Sequence, residues 1–388
     1  MQETGGAAFD GQGPSVAIIL SGIGAGGTER IVSMLASQLV RGGWRVTIIT
    51  PEAADAQSYY PLDGQVRVVR LGLPAFRYSR WRGTWVALRR VFAMRRVLAG
   101  LKPDVVLSFL TRTNVQALIA TLGMDVPVIV SERNNPLRQD VGPRWRLLRN
   151  LLYPRAYGLV VMTKGALSCF PPAQRRRSWV VPNFATLPDD LARQGGGRTL
   201  AAVGRLVHQK GFDLLLNAFA QVAPRFPGWN LVIWGEGPDR EALENLADRL
   251  GLQGQVRFPG VSPKPAGWIE STDIFVLSSR FEGWGIVLLE ALAAGLPCVS
   301  FDCHWGPAEM IAHGRNGLLV EAESVDALAA ALARLMEDEA LCQALGEAAR
   351  QDMTRFAPAK VLALWEEVLR DAAGSRCPKP TSRLAPAA

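Results

Sequence analysis

The sequence predicts an α/β protein made of two doubly wound, parallel-sheet domains, and three observations predict it. Short β-branched runs alternate with amphipathic stretches along nearly the whole chain, the pattern of strands joined by helical crossovers. The runs are too many for one sheet. The alternation also breaks at 184–198, where Leu187-Pro188-Asp189-Asp190 and Gly195-Gly196-Gly197 interrupt the periodicity.

Taken in order, stretches 16–22, 45–50, 66–71, 105–110, 127–131 and 159–163 read as strands covered on both faces, because they are nearly continuous apolar runs. Helical patterns separate them at 28–41, 85–101 and 114–122. The strand pattern resumes at 200–204, 230–234, 256–258, 274–278 and 298–301, and the chain reads as helical from 324 to 373. The predicted organisation is a flexible start over 1–14, a first domain over 15–185 and a linker over 186–198. A second domain follows over 199–355, then a final helix over 356–373 that returns to the first domain, and a disordered tail over 374–388.

Of the 388 residues, 48% are hydrophobic and 20% charged, the balance of a chain that buries large cores. Disordered and fibrous classes are excluded. No stretch approaches the roughly 18 apolar residues of a membrane span, and residues 1–10 hold two acids and no base, unlike a signal peptide. The five cysteines are odd in number and form no Cys-x-x-Cys pair. That argues against disulfides and zinc, and for a reducing cytoplasmic compartment. Net charge is +8, yet 70–155 alone carries 16 Lys and Arg against four acids, a surplus of twelve. So basic a segment fits an anionic partner: a phosphorylated substrate, a nucleic acid or an anionic membrane surface. Nucleic acid is the poorest fit, since no recognition motif accompanies the charge.

Three motifs carry candidate chemistry. Gly22-Ile23-Gly24-Ala25-Gly26-Gly27 follows a strand and precedes a helix, so its backbone can approach a phosphate at the helix N-terminus. The acid that a dinucleotide site wants at the next strand's end is out of place, because Glu52 lies beyond Pro51. Thr28 in the first helical turn points to a polar ligand. The second motif, Gly204-Arg205-Leu206 with Lys210-Gly211, spans the end of a strand and the start of a helix. Its two cations suit a diphosphate above the strand ends, where open sheets bind ligands. The third, Phe281-Glu282-Gly283-Trp284-Gly285-Ile286, leads into a helix that carries Glu290 in an apolar stretch. An unpaired carboxylate there would be costly, so Glu290 is either paired or aimed at ligand hydroxyls.

These motifs, together with Gly235-Glu236-Gly237-Pro238 and Gly306-Pro307-Ala308-Glu309, resemble those of retaining glycosyltransferases of family 4. The resemblance covers nearly all of 15–373. It implies the GT-B fold: two facing Rossmann-like domains with a nucleotide-sugar donor in the cleft between them. It further implies that Arg205 and Lys210 hold the donor diphosphate, Glu290 the ribose, and Glu282 the transferred sugar. Gly26, Gly27, Gly283, Gly285 and Ile286 would supply backbone to the anion, and Val261 would lie near the base. Several members have an acceptor-side histidine, whereas all three histidines here (His208, His304, His313) fall in the second domain. Thr28, Arg112, Glu132 and Arg133, the last two in Ser131-Glu132-Arg133-Asn134-Asn135-Pro136, are the acceptor-side candidates instead. That run is similar to enzymes that extend lipid-linked oligosaccharides and exopolysaccharide repeats.

The expectation is therefore a UDP-sugar-dependent hexosyl- or N-acetylhexosaminyltransferase with a glycan acceptor linked to polyprenyl diphosphate. No cofactor or metal is expected, since no Asp-x-Asp follows a strand. The rivals are a UDP-sugar 2-epimerase of the same fold and a non-enzymatic polyanion binder. The stretch 81–101 adds a further expectation: Trp85, Leu88, Phe92 and Met94 share an apolar stripe flanked by Arg82, Arg89, Arg90, Arg95 and Arg96. Such a helix suits peripheral attachment to an anionic membrane. Trp284 is the one tryptophan kept as a sugar platform.

Overall fold

The computed structural model describes residues 3–4, 13–24, 26–73, 80–135, 138, 141–188, 190–192 and 195–375, with backbone only over 3–4 and 80–84. The predicted tail beyond 375 and most of 1–14 lie outside the described residues, as do Cys377 and the side chains of Trp81 and Arg82, while Gly374, read as the start of the tail, closes the last helix. Contacts divide the chain into Met1–Val181 with Leu362–Ala388, and Pro182–Val361. The glycine triplet, read as a free linker, instead belongs to the second unit. Asp273 holds it there, accepting from the Gly196 and Thr199 backbone N–H groups at 2.8 Å each.

The first unit holds strands β1 (Glu3–Thr4), β2 (Ser15–Ile19), β3 (Arg45–Thr50), β4 (Arg67–Arg70), β5 (Val105–Phe109), β6 (Val128–Ser131), β7 (Gly158–Val161) and β8 (Ser178–Val180). Their order is β1-β4-β3-β2-β5-β6-β7-β8. Every pairing is parallel except that of β1, which runs antiparallel to β4 with Glu3 opposite Val69. The second unit holds β9 (Thr199–Val203), β10 (Asn230–Trp234), β11 (Val256–Gly260), β12 (Ile274–Leu277), β13 (Cys298–Phe301) and β14 (Leu318–Val320), in the all-parallel order β11-β10-β9-β12-β13-β14. Both sheets thus follow the 3-2-1-4-5-6 order of doubly wound folds, which reverses direction beside its first strand. The reversal lies between β2 and β5 in the first unit and between β9 and β12 in the second. Three strands escaped the sequence reading: β1 has two residues, and β8 and β14 have three each. Segments so short show no measurable period.

Central strands are sealed as their composition requires. Ile18, Val46, Ile48, Val106, Leu107, Ile129 and Val160 are buried in the first unit, and Leu200, Leu231, Phe275 and Val299 in the second. Right-handed crossovers place helices Arg80–Leu101, Thr111–Ala120 and Pro143–Leu152 on one face of the first sheet, because all three connections run toward β8. Thr111–Ala120 is the middle one and packs against both others. Helix Arg80–Leu101 meets its neighbours through Val91, Met94 and Leu98, all buried. Met94 is therefore not in one stripe with Trp85, Leu88 and Phe92, which point to solvent. The final helix, Pro358–Gly374, belongs to the first unit from Leu362 onward. Its Trp365 is fully buried with its ring centroid 5.7 Å from that of Phe109, and Tyr157 Oη donates to Asp371 Oδ2 at 3.0 Å.

Candidate active site

The best-defined polar cluster stands at the C-terminal ends of β9 and β12, where the second sheet's order reverses. Two loops meet there. In the first, Gly211 adopts a left-handed conformation (φ 62°), and a Cβ at this position would fall on the Ser278 carbonyl. Arg280 in the second loop forks onto Asp213 at 2.8 and 2.7 Å and donates to the His208 carbonyl at 2.8 Å. Burial opposes the Asp213 charge, but Arg280 outweighs it and holds that carboxyl below its usual range. Gln209 Nε2 donates to the Phe281 carbonyl, and Ser278 Oγ to that of Lys210. Stitched in this way, the loops bring Lys210 Nζ to 2.6 Å from Glu282 Oε1, with Ser279 Oγ 2.7 Å from the same oxygen. Lys210 is 17% and Glu282 7% exposed, so this is a desolvated ion pair.

Sequence reading treated Lys210 and Glu282 as separate contacts; the structure makes them one unit. The Arg205 side chain is exposed and makes no hydrogen bond among the described residues, while its carbonyl accepts from Val207 N–H at 2.8 Å. Its loop is fixed by backbone. Leu206 N–H donates to the Glu236 carbonyl at 2.9 Å, and Gly235 (φ 137°) lets its chain lie on the Gly204 carbonyl. Val261 is exposed beyond β11. Gly283 is half-buried, and Gly285 (φ 91°) caps helix Ile286–Ala293, whose first N–H groups have no acceptor within the helix. Glu290 is buried one turn later. Backbone bonds from Glu282 N–H to the His304 carbonyl and from Trp305 N–H to the Glu282 carbonyl tie a third loop to the cluster. Cys303 beside it is buried, and burial, aided by the Glu282 charge, pushes its thiol up to about 12.

Trp284 does not serve as a sugar platform. Its ring is buried edge-on against Phe356, and a Cβ at Gly306 would fall on its carbonyl. Sequence reading also missed Ser279 and Arg280. The Ser three residues before Glu282 was a usable turn signal, whereas nothing local marked the Arg280–Asp213 fork. A cavity of about 930 Å³, lined by Arg198, Arg225, Trp229, Asp273 and Arg350 among others, opens at the opposite, N-terminal ends of these strands. Its size does not make it the site.

In the first unit the glycine loop after β2 is closed by Glu52, whose two carboxylate oxygens each accept from Ile23 N–H at 3.1 Å. Glu52 thus holds the loop, which accounts for its position past Pro51. Glu29 folds back against Gly26, and its pKa is raised by burial and by the Glu52 charge. Gly27 is exposed and Thr28 half-buried beside it. Arg112 is exposed, lies over the Trp145 ring at 5.9 Å and reaches the Val141 carbonyl at 3.4 Å.

Glu132 and Arg133, the acceptor-side candidates at the end of β6, are both buried. Glu132 is 3% exposed and accepts from Thr111 Oγ1 at 2.9 Å and from Tyr153 Oη; Asn114 Nδ2 donates to Tyr153 Oη at 2.9 Å. Arg133 is buried over the Trp365 ring at 5.7 Å, and burial lowers its pKa. Both side chains therefore build the framework. Burial raises the Glu132 pKa despite the Tyr153 and Thr111 hydrogen bonds. Its stabilising protonated state is complete below the ordinary carboxyl value of 4.5 and is lost as pH rises through the raised value. Thermal melts from acidic to alkaline pH should fall in the native protein. In Glu132→Gln, which keeps an acceptor for Tyr153 without the charge, that slope should flatten.

Comparison with known proteins identifies the family. The profile described as Glycosyl transferases group 1 matches residues 183–352, and that of the Glycosyl transferase 4-like domain matches residues 26–183. An exopolysaccharide phosphotransferase of Streptomyces coelicolor is 33% identical over 320 residues, 79% of this chain but only 32% of that longer protein. The amylovoran biosynthesis glycosyltransferase AmsD of Erwinia amylovora is 28% identical over 363 residues, covering 91% of this chain and 98% of the relative. An alpha-1,4-N-acetyl-D-galactosaminyltransferase of Campylobacter jejuni, named for an undecaprenol-PP-linked glycan, is 27% identical over 363 residues, 92% of this chain and 98% of its own. Among solved structures, sucrose-phosphate synthase from Thermosynechococcus elongatus superposes with a TM-score of 0.80 at 18% identity, covering 93% of this chain and all of that one. Anabaena HepE in complex with UDP and glucose gives 0.74 at 17% identity, over 91% and 98%. With two Rossmann-like sheets of the GT-B fold and both family profiles matched in order, the chain belongs to the family 4 glycosyltransferases.

Proposed function

We propose that the protein transfers a hexose or N-acetylhexosamine from a UDP-sugar to a hydroxyl of a polyprenyl-diphosphate-linked glycan, with retention at the anomeric carbon and without a metal. The setting is assembly of cell-surface polysaccharide or oligosaccharide at the cytoplasmic side of the membrane. The observation that carries this reading is the Lys210–Glu282 pair beside exposed Arg205, at the crevice where the second sheet reverses. The Campylobacter relative supports the class of acceptor, the Erwinia relative supports polysaccharide assembly, and HepE with UDP and glucose supports the donor.

In the proposed reaction the bond from the anomeric carbon to the β-phosphate oxygen breaks as the acceptor oxygen bonds to the same face of that carbon. The acceptor proton passes to the departing phosphate. Negative charge grows on the diphosphate, where Arg205, Lys210 and the N–H groups opening helix Ile286–Ala293 stabilise it without rearranging. Glu282 orients the sugar hydroxyls and positions Lys210 between itself and the phosphate. Glu290 takes the ribose.

The two glutamates are separable by experiment. Glu290→Gln should weaken UDP binding in calorimetry by roughly 10-fold or more, because one acceptor oxygen becomes a donor. Glu282→Gln, whose amide oxygen can still accept from Lys210 Nζ, should weaken UDP binding by no more than about threefold and depress UDP release from the UDP-sugar. Equal loss of UDP affinity in both variants would overturn these roles.

A further inference from the structure

We propose that the first unit docks on an anionic lipid bilayer through the outer faces of helices Arg80–Leu101 and Pro143–Leu152. Large apolar side chains are seldom left in water unless something covers them, and here they stand in two rows. Trp85, Leu88 and Phe92 are 66%, 52% and 69% exposed along the first helix. Leu147 and Leu151 are 60% and 62% exposed along the second. The two helices flank Thr111–Ala120 on the same face of the sheet, so the rows share one side of the unit. Helix Arg80–Leu101 already has a separate packing face in Val91, Met94 and Leu98. Its outer stripe is therefore not needed for the fold.

Charge selects the occupant. Neither 80–101 nor 143–155 contains an Asp or Glu. Arg89, Arg96, Arg144, Arg146 and Arg155 are exposed beside the apolar rows, with the Arg89 guanidinium over the Trp85 ring at 5.6 Å. A groove of about 290 Å³ lined by Leu71, Phe92, Ala93 and Arg96 adds an apolar slot with a cation at its edge. Arg90 and Arg95 play no part, since they donate to the carbonyls of Leu73 and of Ala120 and Leu122. A second copy of this face would set arginines against arginines. A nucleic acid would leave the leucines and Phe92 in water. An anionic bilayer meets both needs, taking aromatic and aliphatic side chains at the headgroup boundary while its phosphates face the arginines.

The test is sedimentation with phosphatidylcholine vesicles, with and without phosphatidylglycerol, in the absence of donor and acceptor, so it stands apart from the transferase reading. Binding is expected only with phosphatidylglycerol and should weaken as salt rises. Arg89→Glu with Arg96→Glu should lower partitioning at least about 10-fold, at roughly fivefold per basic side chain. Trp85→Ser with Phe92→Ser should lower it similarly and reduce the quenching of tryptophan by brominated lipid. All four positions are exposed, and unchanged circular dichroism will show that the variants fold. Equal binding to neutral vesicles, or binding unaltered in both double variants, would overturn the proposal. So would a patch that mediates self-association or DNA binding while vesicles are ignored.

Discussion

Lys210→Ala is expected to halt transfer and to destabilise the second unit by about 3 kcal/mol, the lower end of the range for breaking a desolvated ion pair. The lower end applies because Lys210 keeps some contact with water and Glu282 retains the Ser279 hydroxyl. The neighbouring Arg205→Ala should leave stability unchanged, since Arg205 is exposed. It should weaken UDP binding by about 10- to 150-fold, the loss of one charge-assisted contact. Denaturant unfolding beside UDP calorimetry separates the two effects. The double change Lys210→Met with Glu282→Leu should recover most of the stability and none of the turnover. If Lys210→Ala unfolds like the native protein, the pair contributes nothing to holding the two loops together.

Gly235→Ala should be comparably severe for a different reason. The residue has φ 137°, and its Cβ would fall on the Gly204 carbonyl, so backbone meets backbone and neither can rotate away. Strain at such an angle and overpacking cost roughly 1–3 kcal/mol each, about 4 kcal/mol together. The loop carrying Arg205 would shift as β9 and β10 part, so UDP affinity should fall as well. Gly24→Ala is the control. A Cβ there meets nothing within 4 Å, and stability should stay within about 0.5 kcal/mol.

Strands buried on both faces were legible because nothing but apolar, β-branched residues fits them, and the glycine-bounded motifs marked where they end. The pairing of β1 was not legible, since antiparallel addition to β4 depends on a contact far along the chain. Lys210 and Glu282 were legible as residue types in a motif. Their direct bond was not, because the Arg280–Asp213 fork that aligns their loops has no local signature. The burial of Glu132 and Arg133 was not legible for the converse reason. Two charged residues at a strand's end read as accessible, and only Tyr153 and Trp365, brought in by tertiary packing, bury them. The stripe on helix Arg80–Leu101 shows the limit of periodicity: it revealed an apolar face, not which of two faces the protein would cover.

The final helix sets the timetable of synthesis. Residues to Val181 leave the ribosome first, yet their unit lacks Trp365, Leu369 and Ala372 until the last helix follows the whole of Pro182–Val361. At about 5–20 residues per second, the first unit waits on the order of 10–40 seconds with the hollow under Phe109 unfilled. The domain begun first is thus finished last, after its downstream neighbour has had time to fold alone. During that interval the first unit has an unfilled apolar slot, and arrival of the last helix, rather than emergence of β8, closes it.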